Sequence, residues 1–149
     1  MRIMAVDFGD ARTGIAISDP TGSITGITRV IHQRHPEKVA EETADLIRQY
    51  AVSVVVVGLP RNMNGTEGPR AALCREFAAL LEAQCGLKPL LRDERLTTVA
   101  AHDILSANDR HGKKRKNTVD AVAASLILEG YLAAMRQNAE DATEREACP

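Results

Sequence analysis

Over residues 2–31 apolar and polar positions alternate in short runs broken by turns. Beyond residue 36 the spacing lengthens to that of helices with strands between them. Residues 2–8 put Ile3, Ala5 and Asp7 on one face of a strand and Met4, Val6 and Phe8 on the other. The tight turn Gly9-Asp10-Ala11-Arg12 leads into a second strand, Thr13 to Ser18, so the two form a hairpin. Asp19-Pro20-Thr21-Gly22 turns the chain again, into a third strand from about Ser23 to Ile31. His35-Pro36 opens a helix to about Tyr50, with Val39, Leu46, Ile47 and Tyr50 as a partial apolar stripe. The run Val52-Ser53-Val54-Val55-Val56-Val57 is short and β-branched, the signature of a central strand buried on both faces and therefore parallel. A glycine- and asparagine-rich loop from Gly58 to Gly68 precedes an alanine- and leucine-rich helix, Pro69 to about Cys85, that Gly86 stops. A short strand over Lys88 to Arg92, a helix from about Thr98 to Ala107, a basic loop and a helix from about Thr118 to Gln137 complete the pattern.

Three meandering strands followed by strands alternating with helices predict an α/β protein with a mixed sheet. The succession resembles the ribonuclease H-like fold. It implies a five-stranded sheet in the order 3-2-1-4-5, strand 2 antiparallel, flanked by helices. In that fold an acidic site lies where the first and fourth strands run side by side. One domain is expected over residues 1–137, with residues 138–149 as an acidic, disordered tail.

Composition changes this picture in two places. The 149 residues are 44% hydrophobic with two Phe, two Tyr and no Trp, so the expected core is aliphatic. The net charge of −1 conceals an uneven distribution. Glu140, Asp141, Glu144 and Glu146 against Arg145 give the tail −3 and leave the body near +2. Five positive charges of the body fall between Arg110 and Lys116, and locally concentrated charge suits nucleic acid even in a near-neutral protein. Cys74, Cys85 and Cys148 show neither zinc-ligand nor redox-pair spacing and read as reduced thiols. No signal-peptide pattern and no membrane-length apolar run occurs, so a cytoplasmic protein without a membrane partner is expected.

The candidate chemistry lies in acids far apart in the chain. Asp7 ends an apolar strand, where a carboxylate is costly unless paired, hydrogen-bonded or metal-bound; the competing reading is a cap on the following turn. Asp93 and Glu94 are adjacent at a strand end and point to opposite faces, so at most one joins Asp7. The other pairs with Arg92 or Arg95, or caps the next helix. Asp120 follows Asn117, a possible N-cap, and can be read as a first-turn acid favoured by the helix dipole. Against that, Ala123, Ala124 and Ile127 share its side of the helix. Three converging carboxylates make a hard oxygen site suited to Mg²⁺ or Mn²⁺, able to hold two ions that stabilise an in-line attack on a phosphodiester. The Gly58–Gly68 loop can let a phosphate backbone approach closely, though it lacks the Gly-Lys-Ser/Thr of a nucleotide loop. Arg12, Arg61, Asn62, Asn64, Arg95 and the run Lys113, Lys114, Arg115, Lys116 are the expected phosphate contacts. The basic run can also be a plain solvated loop.

Four groups of residues, in order along the chain, resemble the YqgF family, also called RuvX. They are Val6-Asp7-Phe8-Gly9 with Arg12 to Ala16 and Ser18-Asp19; Gly58-Leu59-Pro60 to Gly68; Asp93-Glu94-Arg95-Leu96-Thr97-Thr98; and Val119-Asp120-Ala121 with Ala123-Ala124 and Leu126 to Leu128. Ala100 departs from the pattern, where a glutamate would complete a capping box with Thr97. The resemblance implies a relative of the RuvC resolvases that matures the 5′ end of the small-subunit ribosomal RNA precursor, with Holliday-junction resolution as the competing role. Carried over, the acids are Asp7, Glu94 and Asp120, with Asp93 the lesser candidate. Three function classes follow: a metal-dependent endonuclease on structured RNA or branched DNA, a non-catalytic nucleic-acid-binding module, and an actin- or hexokinase-like ATPase. The last needs two such domains closing over ATP, which this length excludes. Neither the sugar of the substrate nor the oligomeric state is legible.

Overall fold

The computed structural model describes residues 1–93 and 112–147, with the side chains of the last helix described over 121–139. Three strands open the chain: β1 Arg2–Asp7, β2 Arg12–Ser18 and β3 Thr25–His32. Helix α1 Pro36–Gln49, strand β4 Val52–Leu59, helix α2 Pro69–Cys85, strand β5 Leu90–Asp93 and helix α3 Gly112–Ala147 follow. The sheet order is β3-β2-β1-β4-β5, with β2 antiparallel to β1 and β3 and the β1–β4 and β4–β5 pairs parallel. This is the ribonuclease H-like arrangement expected from the alternation of strands and helices.

The two faces of the sheet carry separate cores. On one, Met4, Val6, Ile15, Ile17, Val55, Val57 and Leu59 pack under α1 and α2, including Val39, Ala44, Phe77 and Leu81. On the other, Ile3, Ala5, Ala16 and Val56 pack under Ala124, Ile127, Leu128 and Leu132 of α3. Strand alternation explains the division: the odd positions of β1 and the even positions of β4 face α3. β4 is buried on both faces, as its run of valines requires. Gly86 ends α2 in the left-handed conformation at φ 77°, its N–H bonding the Glu82 carbonyl at 2.8 Å.

Three expectations are corrected. The helix expected from about Thr118 begins at Gly112, so Lys113 to Lys116 stand on its first turns and not in a loop. Lys and Arg are good helix formers, and no proline interrupts this stretch. The helix also runs past its expected end at about Gln137, to Ala147. Residues 138–147 contain neither glycine nor proline, and their alanines and glutamates favour helix despite the net charge. β5 reaches Asp93, which is therefore a strand residue. The helix expected over 98–107 lies outside the described residues.

Candidate active site

Asp7 is half-buried at the end of β1 and has the alternation of Ile3 and Ala5, so it lies on the α3 face. Its neighbour Phe8 goes the other way and stacks on Phe77 of α2, with ring centroids 4.5 Å apart and planes within 8°. Arg70, in the first turn of α2, fixes the following turn through two further bonds. One guanidinium nitrogen donates to the Phe8 carbonyl at 2.6 Å and the other to Asp10 Oδ1 at 2.7 Å. Within the turn a Cβ on Gly9 would come within 2.1 Å of the Arg12 carbonyl oxygen, so only glycine fits. The strand end is thus clamped from the α2 side, and the Asp7 carboxylate is left on the opposite face.

Register shows what surrounds it. Asp7 pairs with Gly14 of β2. On the other side Val6 pairs with Val57, which sets Gly58 of β4 level with Asp7, and Gly58 pairs with Arg92 of β5. The row Gly14–Asp7–Gly58–Arg92 lies on the α3 face, with a glycine on each side of the acid.

Helix α3 crosses this face and contacts β1, β2, β3 and β4. Its direction follows from two contacts. Arg136 Nη1 donates to the Ser23 carbonyl at 3.0 Å, and the Asp19–Ser23 turn lies at the amino end of β1, where the Met1 ammonium donates to the Pro20 carbonyl at 2.6 Å. The helix therefore runs against β1. Sixteen residues separate Asp120 from Arg136, about 24 Å of helix. From Met1 to Asp7 β1 covers about 20 Å. Position 120 thus falls at the Asp7 edge. It also occupies the stripe that continues through Ala124, Ile127 and Leu128, all buried against the sheet. The reading of Asp120 as a first-turn acid does not survive: the helix starts eight residues earlier, and the terminal dipole acts within the first turn.

Asp93 is on the wrong face for this group. It pairs with Leu59, and Leu59 and Leu91 both pack in the α1/α2 core, so its alternation turns it from Asp7. Glu94 and Arg95 lie outside the described residues. Among the described residues no three potential metal ligands cluster, a set from which Glu94 and the Asp120 side chain are missing.

The loop after β4 is shaped by its own side chains. The Asn62 amide donates to Thr66 Oγ1 at 3.0 Å, Asn64 Oδ1 accepts from the Thr66 N–H at 3.1 Å, and Gly65 takes φ 86°. Both asparagine side chains therefore serve to shape the loop. Glu67 receives a two-pronged bond from Arg75, at 2.7 and 2.8 Å, which holds its carboxyl below the usual range; Arg61 stands 3.9 Å away. Arg12 begins β2, one turn from Asp7. Met63 is almost wholly exposed at the tip of the loop. Away from all this, a cavity of about 290 Å³ between β3 and α1 is lined by Arg29, Ile31, Glu42 and Leu46 on the opposite face of the sheet.

Sequence reading missed Gly14 and Gly58 as neighbours of Asp7, and Arg70 as the clamp on its turn. The first needs strand register, and the second bridges sixty residues; neither leaves a local signal.

The family model described as RuvX, Holliday junction resolvase, matches residues 1–134. A protein of Moorella thermoacetica, provisionally named a pre-16S rRNA nuclease, is 45% identical over 139 residues, covering 93% of this chain and 99% of its own. One of Carboxydothermus hydrogenoformans with the same name is 44% identical over 132 residues, covering 89% and 96%. The solved structure of Thermus thermophilus RuvC in complex with Holliday junction substrate superposes with a TM-score of 0.55 at 11% identity, covering 91% of this chain and 96% of that one, a likeness of fold. With the family model spanning nearly the whole chain and relatives this similar end to end, the chain belongs to the RuvX family.

Proposed function

We propose that this chain is a metal-dependent endonuclease that cuts structured nucleic acid, foremost the 5′ end of the small-subunit ribosomal RNA precursor in the cytoplasm. The observation that carries the reading is the row Gly14–Asp7–Gly58. It presents one half-buried carboxylate, flanked in register by a glycine on each neighbouring strand, toward the helix stripe that carries Asp120. The names of the Moorella and Carboxydothermus relatives supply the substrate.

The donor set, carboxylate oxygens beside two glycines of the neighbouring strands, fits a hard divalent cation. Asp7, Asp120 and Glu94 would hold Mg²⁺ or Mn²⁺. Glu94 is preferred to Asp93 because Asp93 shares the face of Leu59. When bound, one or two such ions supply positive charge where the displacement at phosphorus develops negative charge. The residues of the chain do the rest. Phe8, Phe77 and Arg70 hold the Asp7 turn rigid, so the carboxylate needs little reorganisation when substrate arrives. Lys113, Lys114, Arg115 and Lys116, on the turns of α3 before Asp120, attract the phosphate backbone toward the acids. Arg12, Arg61 and Arg95 are further candidates for backbone contact, while Asn62 and Asn64 support the loop that carries Arg61. Hydrolysis adds water across one P–O bond and leaves a phosphate end and a hydroxyl end.

A second reading, resolution of four-way DNA junctions, is favoured by the description of the matching family. Cleavage of precursor RNA, a four-way DNA junction and linear duplexes, each in Mg²⁺, Mn²⁺ and EDTA, separates the two. Metal-dependent cutting of the RNA near the mature 5′ end supports the first, and symmetric nicking of the junction alone the second. Binding without cleavage of any substrate would reduce the protein to a binding module.

A further inference from the structure

We propose that Arg92 is a substrate-positioning residue whose guanidinium holds a backbone phosphate next to the one that is cut; this rests on the nuclease reading above. In the sequence Arg92 looks like a partner for the adjacent acids. In the fold it is turned to the α3 face, since Leu91 before it packs in the α1/α2 core. There its guanidinium lies against Gly130, where a Cβ would stand 3.3 Å from Nη2 and 3.5 Å from Nε. Glycine at position 130 clears the space that the arginine head occupies.

The head is an incomplete structural element as it stands. Nε is buried without a hydrogen-bond partner, and among the described residues no carboxylate pairs with Arg92. A guanidinium cannot shed its charge, so a half-buried one without an acceptor is costly, and an arriving anion supplies what is missing. Arg92 stands in the same row as Asp7 on the same face. Their backbone positions are about 9.5 Å apart at two strand spacings, with Gly58 of β4 between them in the row. A nucleic acid strand that puts one phosphate at Asp7 brings another within reach of this head. The planar fork matches phosphate oxygens, which RNA and DNA share.

The test is a fluorescence-anisotropy titration of the full chain against labelled precursor RNA and a labelled four-way DNA junction, over a range of salt, with Ca²⁺ replacing Mg²⁺. Arg92→Gln is expected to weaken binding ~10-fold. It should also flatten the dependence of log K on log salt by about 0.7 to 0.9, one phosphate contact. Arg92→Lys should keep the slope and lose part of the affinity, because the charge remains and the fork does not. Arg48→Gln, on α1 of the opposite face, serves as control and should leave both quantities unchanged. A loss seen with one probe alone assigns the contact to RNA or to DNA. Wild-type affinity and slope in Arg92→Gln overturn the proposal, as does a loss of affinity at unchanged slope, which marks a packing role. Failure of the wild-type protein to bind either probe overturns the nuclease reading instead, and the proposal with it.

Discussion

Phe8 and Asp7 point to opposite faces of one strand, and the stack of Phe8 on Phe77 holds the pair in that orientation. Such a stack contributes about 0.5–1.5 kcal/mol beyond the area it buries, on top of the Arg70 bonds to the same turn. The strand end that carries the carboxylate is therefore held from the far side of the sheet as well. Asp7→Asn preserves shape and removes the charge. Metal-dependent cleavage should fall by orders of magnitude while the melting temperature holds and substrate binding persists or tightens, repulsion of the phosphate being relieved. Asp120→Asn should behave alike, and Glu94→Gln should damage turnover more than Asp93→Asn, which changes a residue on the other face. Rates and melting curves on the same four variants decide the matter. Full activity in a folded Asp7→Asn protein would remove the carboxylate site from the mechanism.

At the scale of elements, the early start of α3 changes what the basic run can do. Residues on a helix advance as a rigid unit with the rest of the element, so Lys113 to Lys116 are tied in geometry to Asp120 and the buried stripe beyond it. Replacing the four by Ala leaves helix propensity intact, alanine being the best former, and removes only charge. Binding should weaken and its salt dependence flatten in a titration, without loss of helical signal in circular dichroism; an unchanged slope would take the run out of the substrate path. The β2–β3 connection makes an independent case. Asp19 accepts hydrogen bonds from Thr21 Oγ1 and from the N–H groups of Ser23 and Ile24, and these hold its pKa down to about 2 from 3.8. The folded value lies below the unfolded one, so the stabilisation is present above about pH 3.8 and is lost as pH falls toward 2. Asp19→Asn should lower the melting temperature at neutral pH, and its difference from wild type should shrink through that acid window. A difference constant with pH would show that the amide replaces the carboxylate fully.

At the scale of the whole molecule the described elements form three layers, with α1 and α2 on one face of the sheet and α3 on the other. Near its carboxyl end α3 meets the body through Leu132, the partly buried Met135 and the Arg136 bond to Ser23. A chain ending after Ala139 is accordingly expected to melt and cut like the full one, and a large fall in melting temperature would locate further packing beyond that point. Among the described residues no helix is long and apolar enough to cross a membrane. Most of this architecture was legible in the sequence because it depends on local periodicity. Alternation in β1 and β2, the valine run of β4 and the glycine after α2 each act over a few residues, and hydrophobic burial then admits few ways to layer them. The start of α3 was misread because Asn117 resembles a cap, while the lysines before it are equally content in a helix. What only the tertiary structure decided was lateral: that Gly14 and Gly58 flank Asp7, that Asp93 faces away from it, that Arg70 reaches sixty residues to grip its turn, and that Arg92 in the same row lies against Gly130. Those facts depend on strand register and on contacts between distant segments, which burial energy sums over the whole molecule and no short stretch of sequence encodes.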